Sequence, residues 1–174
     1  MLKKIALFLA ILLLAIGAKI SKGGVLDNGY AMLGGGAFGT VDQLKTGDIR
    51  GFFTGSGLLP LYWNSKILLR ASFADLNNDV DVENYSGNVM LLSRTIESAK
   101  INPYAFGALS MTHNSESETE AKNSFSLDGG VGMFWELFGA RWYGEVSYKD
   151  VAGNDSFSLG FGLLFDLSKP TEQK

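Results

Sequence analysis

Apolar and polar positions alternate most sharply between Ser124 and Leu167. Phe125, Leu127, Val131, Met133, Trp135 and Leu137, with Gly129 among them, fall on one set of alternate positions. Ser124, Ser126, Asp128, Gly130, Gly132, Phe134 and Glu136 fall on the other. After a break at Phe138-Gly139, Ala140, Trp142, Gly144, Val146 and Tyr148 alternate with Arg141, Tyr143, Glu145, Ser147 and Lys149. A second break, Asp150 to Asp155, leads to Phe157, Leu159, Phe161, Leu163, Phe165 and Leu167 against Ser156, Ser158, Gly160, Gly162, Leu164 and Asp166. Period two predicts three β-strands, each with a greasy and a polar face. Each is about ten residues long, the span of a strand tilted through a bilayer.

Five earlier strands follow from the same pattern. Tyr30 to Gly39 is glycine-rich, and its faces are hard to rank. Asp48 to Leu58 sets Asp48, Arg50, Thr54 and Ser56 against Ile49, Phe53 and the adjoining Leu59. Ser65 to Ala74 sets Lys66, Arg70 and Ser72 against Ile67, Leu69, Ala71 and Phe73. Tyr85 to Thr95 is less cleanly divided, and Asn102 to Thr112 sets Tyr104, Phe106 and Ala108 against Ala105, Leu109 and Met111. Thr40 to Gly47, Pro60 to Asn64, Asp75 to Asn84, Ile96 to Ile101 and His113 to Asn123 connect them.

The expected architecture is all-β: an eight-stranded antiparallel up-and-down transmembrane β-barrel over residues 30–167. The odd-numbered connections are polar and acidic, and the even-numbered ones are shorter on the whole. Barrels of this kind place short turns at the periplasmic rim and longer loops outside. Aromatic girdles are expected at both rims: Trp63, Trp135, Trp142 and Phe165 near the periplasmic one, and Phe73, Tyr85, Phe125, Tyr148 and Phe157 near the outer one.

Composition agrees. The 174 residues include 22 Gly, 12 Phe and 6 Tyr but 3 Pro, and the net charge of −3 with no basic run in the body makes a nucleic-acid surface improbable. Absence of cysteine excludes disulfides, thiolate chemistry and cysteine metal sites. Residues 1–18 have the form of a secretory signal: Lys3 and Lys4, an apolar run from Ile5 to Ile16, and small residues for cleavage after Gly17 or Ala18. Residues 19–29 form a periplasmic lead-in and 168–174 a tail.

The chain resembles the small eight-stranded outer-membrane barrels, the group that includes the OmpA transmembrane domain and OmpX, over Tyr30 to Leu167. The local match is the closing strand. Gly162-Leu163-Leu164-Phe165-Asp166-Leu167 is similar to the Gly-x-x-apolar-x-apolar pattern read by the barrel assembly machinery. Phe161 stands where a polar residue is usual, and a tail replaces the terminal aromatic. The resemblance implies a bacterial outer-membrane location, with outer-membrane lipid and lipopolysaccharide as surroundings, assembly through the last strand, a monomer, and no cofactor.

Other motifs weigh less. Gly34, Gly36 and Gly39 spell G-x-G-x-x-G, but a dinucleotide site needs a helix immediately afterwards. Thr40 to Gly47 is expected to be a loop, so the glycines are assigned to close strand passage. Asp75, Asn77 and Asp79 have calcium-loop spacing, yet Val80 replaces the turn glycine and Ser86 the closing Glu. These residues, like Glu116, Glu118 and Glu120, are read as solvated acidic loops. His113, the one histidine, and Ser115 resemble the pair of outer-membrane lipid A deacylases, but Glu116 replaces the usual Asn. The expected acid position falls at Leu127, beside Asp128 on the other face.

Arg50, Lys66, Arg70, Asp128, Arg141, Glu145, Lys149 and Asp166 carry both signs on polar faces, and together predict a paired charge network filling the lumen, with no open pore. Three functions compete: a non-enzymatic outer-membrane protein with a structural or surface-interaction role, a lipid A-modifying hydrolase at His113/Ser115, and a soluble lipocalin-like carrier of an apolar ligand. The last requires the Phe/Leu face to look inward. Alternation alone does not decide which face is inside.

Overall fold

Alternating side chains leave a strand with two unlike faces, and closing the sheet on itself gives each face its own environment. The computed structural model describes residues 29–47, 49–61, 66–76, 82–96, 100–114, 122–151 and 154–167. The predicted signal and tail, Trp63, Ser115, Glu116, Glu118 and Glu120, and the Asn77 to Asp79 part of the calcium-like spacing lie outside them.

Eight strands run β1 (Tyr30–Thr40), β2 (Arg50–Pro60), β3 (Ile67–Asp75), β4 (Val82–Leu92), β5 (Ile101–Asn114), β6 (Lys122–Leu137), β7 (Ala140–Val151) and β8 (Asn154–Asp166). Each pairs antiparallel with the next, and β1 pairs with β8 from Tyr30↔Asp166 to Thr40↔Ser156, closing the barrel. No edge is left to recruit another chain. The expected fourth strand is displaced: pairing begins at Val82 and ends at Leu92, because Asn84 and Ser86 hold inward positions opposite Thr112 and Ser110.

The two rims are named here by their connections, odd (one, three, five, seven) and even (two, four, six, with both barrel ends). Residues 41–49, 76–81, 115–121 and 152–153 link strands at the odd rim, and 61–66, 93–100 and 138–139 at the even rim. The expected difference in loop length is therefore slight, because β5 and β6 extend far toward the odd rim and absorb residues assigned to loops.

Connection one corrects a second expectation. It contains a helix, α1 (Val41–Thr46), where a loop was expected. Thr40 accepts a hydrogen bond from the Gln43 N–H at 3.2 Å, and Gln43 returns one to the Thr40 N–H at 2.9 Å. This capping box, closed by Gly47 at φ +80°, holds six residues helical although their apolar pattern is weak. No parallel strand follows, so the glycine motif gains no dinucleotide fold.

The motif's glycines sit where β1 meets its neighbours. A Cβ on Gly36 would lie 1.9 Å from the Leu159 carbonyl oxygen, and one on Gly34 would lie 2.2 Å from the Tyr143 hydroxyl. Both positions admit hydrogen and nothing larger.

Orientation is unambiguous. Phe125, Leu127, Leu109, Val131, Leu159 and Phe161 are exposed on the outer wall, Leu127 at 79%. Ser126, Asp128, Ser147, Ser156 and Ser158 are buried in the lumen. The inward-facing aromatic row required for a lipocalin-like carrier is thus overturned: Phe157, Phe161 and Phe165 face outward.

Candidate functional site

The lumen has two tiers. Toward the even rim it is apolar: Tyr30, Met32, Leu58, Leu68, Met90, Leu92, Tyr104, Phe134 and Leu164 pack together, with Ile96 of connection four beneath them. Tyr104 stacks on Phe134 with ring centroids 4.5 Å apart. A lumen filled only by polar side chains is therefore corrected. Apart from the buried Asn102, the inward residues in the even half of β3, β4 and β5 are large and apolar, so that half packs like a soluble core.

Toward the odd rim the filling is hydroxyl and amide. Asn84 Nδ2 donates to Thr112 Oγ1 at 3.1 Å, Ser56 Oγ to Ser72 Oγ at 3.0 Å, and Ser147 and Ser158 hydroxyls meet at 2.6 Å. Asn88 Nδ2 reaches Ser86 Oγ at 3.1 Å and Ser72 Oγ at 3.3 Å. These short side chains bridge neighbouring strands across the inner face, replacing the water that an open pore would hold.

Between the tiers lie four of the predicted charges. Arg70 Nη1 donates to Glu145 Oε1 across the barrel, and Nη2 donates to Asn88 Oδ1 at 3.2 Å. The guanidinium also lies 4.4 Å from the Phe106 ring centroid. The Tyr104 hydroxyl donates to Glu145 Oε1 at 2.7 Å. Asp128 accepts from Ser110 and, at 2.8 Å, from Ser126. Lys149 Nζ stands 6.0 Å from the Phe52 ring centroid. Two cations and two anions line one small cavity there.

The other four predicted lumen charges are not part of this group. Arg50, Lys66 and Asp166 hold the last positions of their strands or just beyond and are exposed at the rims; Arg141 is half-buried near the even rim. Among the described residues Arg50, Lys66 and Arg141 make no ion pair. Register alone gave all eight an inward direction. Depth along the strand decides which are enclosed.

The cavity left among Arg70, Glu145, Tyr143, Asp128 and Lys149 is about 30 Å³. That accommodates one or two water molecules and no solute. Arg70 Nε and the Tyr143 hydroxyl, neither with a protein partner, belong to residues lining it.

Aromatic rings band the outer wall. Near the odd rim Phe73 meets Tyr85 at 5.3 Å and Tyr148 meets Phe157 at 5.6 Å, with Phe125 exposed beyond them. Near the even rim Trp135 and Trp142 flank Phe161 at 5.7 and 5.2 Å, with Phe165 exposed alongside.

His113 occupies an outward position at the odd end of β5, opposite Glu83 and Asn123. Its Nδ1 is 2.8 Å from Asn123 Oδ1, while Glu83 accepts from the Tyr85 hydroxyl at 2.7 Å. Asp128 is on the inner face, bonded to two serines, so the barrel wall separates it from His113. Those two residues cannot serve one nucleophile. Among the described residues no cluster of His, Asp or Glu is arranged to hold a metal ion.

No protein-family model and no curated protein sequence matches the chain. Solved structures do. The N-terminal β-barrel domain of Pseudomonas aeruginosa OprF superposes with a TM-score of 0.59 at 12% identity, covering 81% of this chain and 98% of that one. Neisserial surface protein A gives 0.50 at 11% identity, covering 80% and 96%. Identity this low speaks for shared architecture, and the closed antiparallel sheet, outward apolar wall and paired aromatic bands agree with it. The chain has the fold of the small eight-stranded β-barrels of bacterial outer membranes.

Proposed function

We propose that the protein is a non-enzymatic β-barrel of the bacterial outer membrane, closed to solutes, with a structural or surface-interaction role carried by its acidic odd-numbered connections. The observation that carries this reading is the continuous outward row of Leu, Val and Phe between two aromatic bands, a surface suited to lipid rather than water. With both barrel ends periplasmic, the odd rim faces outward. Its connections and the strand ends beside them carry Asp42, Asp48, Asp75, Asp79, Asp81 and Glu83, then Glu116, Glu118, Glu120, Asp150 and Asp155. An acidic rim of this kind favours cationic partners or cations shared with lipopolysaccharide. Entry through the barrel assembly machinery by β8, a monomeric state and residues 1–18 as a cleaved signal complete the proposal.

Fractionation tests it. The protein should remain with membranes until detergent is added, and unboiled samples should migrate differently from boiled ones on a denaturing gel. Recovery as a soluble species would overturn the reading.

A further inference from the structure

The lipid-facing wall differs by sector. Near the even rim the outward residues of β6, β7 and β8 are aromatic: Trp135, Trp142, Phe161 and Phe165. At the corresponding ends of β3, β4 and β5 they are aliphatic, Ile67, Leu91 and Ile101, all exposed. At the rim beside them stand Lys66 and Lys100, adjoining Ile67 and Ile101, and Arg94, three residues on from Leu91; all three are exposed.

Hydrogen bonds hold the backbone at all three bases. The Lys66 carbonyl accepts from the Leu92 N–H at 2.7 Å, and the Lys100 carbonyl from the Glu136 N–H at 3.0 Å. Asn102, fully buried, grips Arg94 from both sides: its Oδ1 accepts from the Arg94 N–H at 3.1 Å, and its Nδ2 donates to the Arg94 carbonyl at 2.7 Å. Glu136, beside Lys100, brings one opposing charge into the sector, and elsewhere on this rim Arg141 and Asp166 carry one charge of each sign. Glu97, in connection four, lies outside the described residues and leaves the local balance positive.

Farther along the same strands the wall is hollowed. A groove of about 520 Å³ has Gly87 and Gly107 in its floor and Leu69, Val89, Leu109 and Leu127 along its sides. A Cβ on either glycine would meet no atom within 4 Å. Leu69 lies three residues from Lys66, about 10 Å along the strand. A headgroup at the bases thus stands within acyl-chain reach of the groove.

We propose that this sector binds one anionic glycerophospholipid of the even-rim leaflet. Its phosphate lies among Lys66, Arg94 and Lys100, and an acyl chain passes Ile67 and Leu91 into the glycine-floored groove. Charge selects this occupant over a second copy of the chain. Two barrels meeting through this face about a two-fold axis along the membrane normal would press one basic cluster against the other. An anionic lipid neutralises the cluster and fills the hollow with hydrocarbon. The site rests on the membrane reading above.

The full chain, inserted into phosphatidylcholine vesicles, is tested with spin-labelled phosphatidylglycerol and, separately, spin-labelled phosphatidylcholine. The motionally restricted lipid is read by electron spin resonance. The expected result is a preference for the anionic lipid on the order of fivefold, as one net surface cation supplies once Glu97 and Glu136 are set against the three bases. K66Q/R94Q/K100Q should bring that preference to about one. Gly107→Leu, which fills the groove without touching the charges, should lower the restricted fraction of the anionic lipid. Heat-modified gel mobility confirms that each variant is folded. Equal restriction of the two lipids by the parent chain, or a preference surviving the triple change, overturns the site while leaving the membrane reading intact. Self-cross-linking of Leu109→Cys through the groove in the same vesicles also overturns it, in favour of a dimer. Failure of the parent chain to insert overturns both.

Discussion

Charged residues that share an inward register do not share an environment. The Arg70 side chain is 5% exposed and Glu145 16%, joined across the lumen and braced by Tyr104 and Asn88. Removing one member of such a pair leaves the other charge buried without compensation, at a cost of roughly 3–5 kcal/mol. Arg70→Ala should therefore lower the temperature at which the barrel shifts from its folded to its unfolded gel mobility by a wide margin. Arg70→Met combined with Glu145→Gln should recover most of the loss, because no lone charge remains. Arg141→Ala, at a half-buried site with no ion pair among the described residues, should change stability by less than about 1 kcal/mol. Equal effects of Arg70→Ala and Arg141→Ala would show that the lumen is wet throughout.

Strands and turns make separate demands. At the β1–β8 seam, Gly36 faces the Leu159 carbonyl oxygen, where a methyl group has no room. Gly57, on β2, would place a Cβ in open space. Gly36→Ala should impede barrel closure and cost about 1–3 kcal/mol, whereas Gly57→Ala should fold as the parent does. Refolding yield from urea into detergent, scored by the heat-modified band, separates the two. The β6–β7 hairpin turns on Phe138 and Gly139 with φ of +54° and +74°, the primed geometry that two-residue hairpins favour. Phenylalanine fits that conformation poorly, and Phe138 is 95% exposed at the tip. Phe138→Asn should stabilise the detergent-solubilised barrel by about 0.5–1 kcal/mol; a lower urea midpoint would mean that the ring anchors the turn in the interface.

For the molecule as a whole, the two-tiered lumen argues against permeation. The even half is a packed apolar plug, and the cavity at the charged group above it is about 30 Å³. Vesicles carrying the protein should not swell in isotonic sugar. Rapid swelling with a monosaccharide would require the plug to be displaced in the membrane.

The period-two pattern along the whole chain was enough to read strand number, and in β5 to β8 the membership of each face, since alternation is a property of neighbouring residues on one strand. The seam glycines were legible as tight spots but not their obstacles, because Leu159 and Tyr143 lie more than 100 residues away in the chain. The apolar plug left a trace: Phe134 and Leu164 are conspicuous apolar residues on otherwise polar faces. That both lie in the even half, facing Met32, Leu68 and Met90, emerges only when eight strands are set in register. Helix α1 was missed because a capping box acts through hydrogen bonds, whereas hydrophobic periodicity registers only burial. What the chain alone determined is which side chains share a face. What only closure decided is which face is inside, how deep each residue sits and which charges meet. A strand's two faces are local, but depth and partnership depend on strands far apart in sequence.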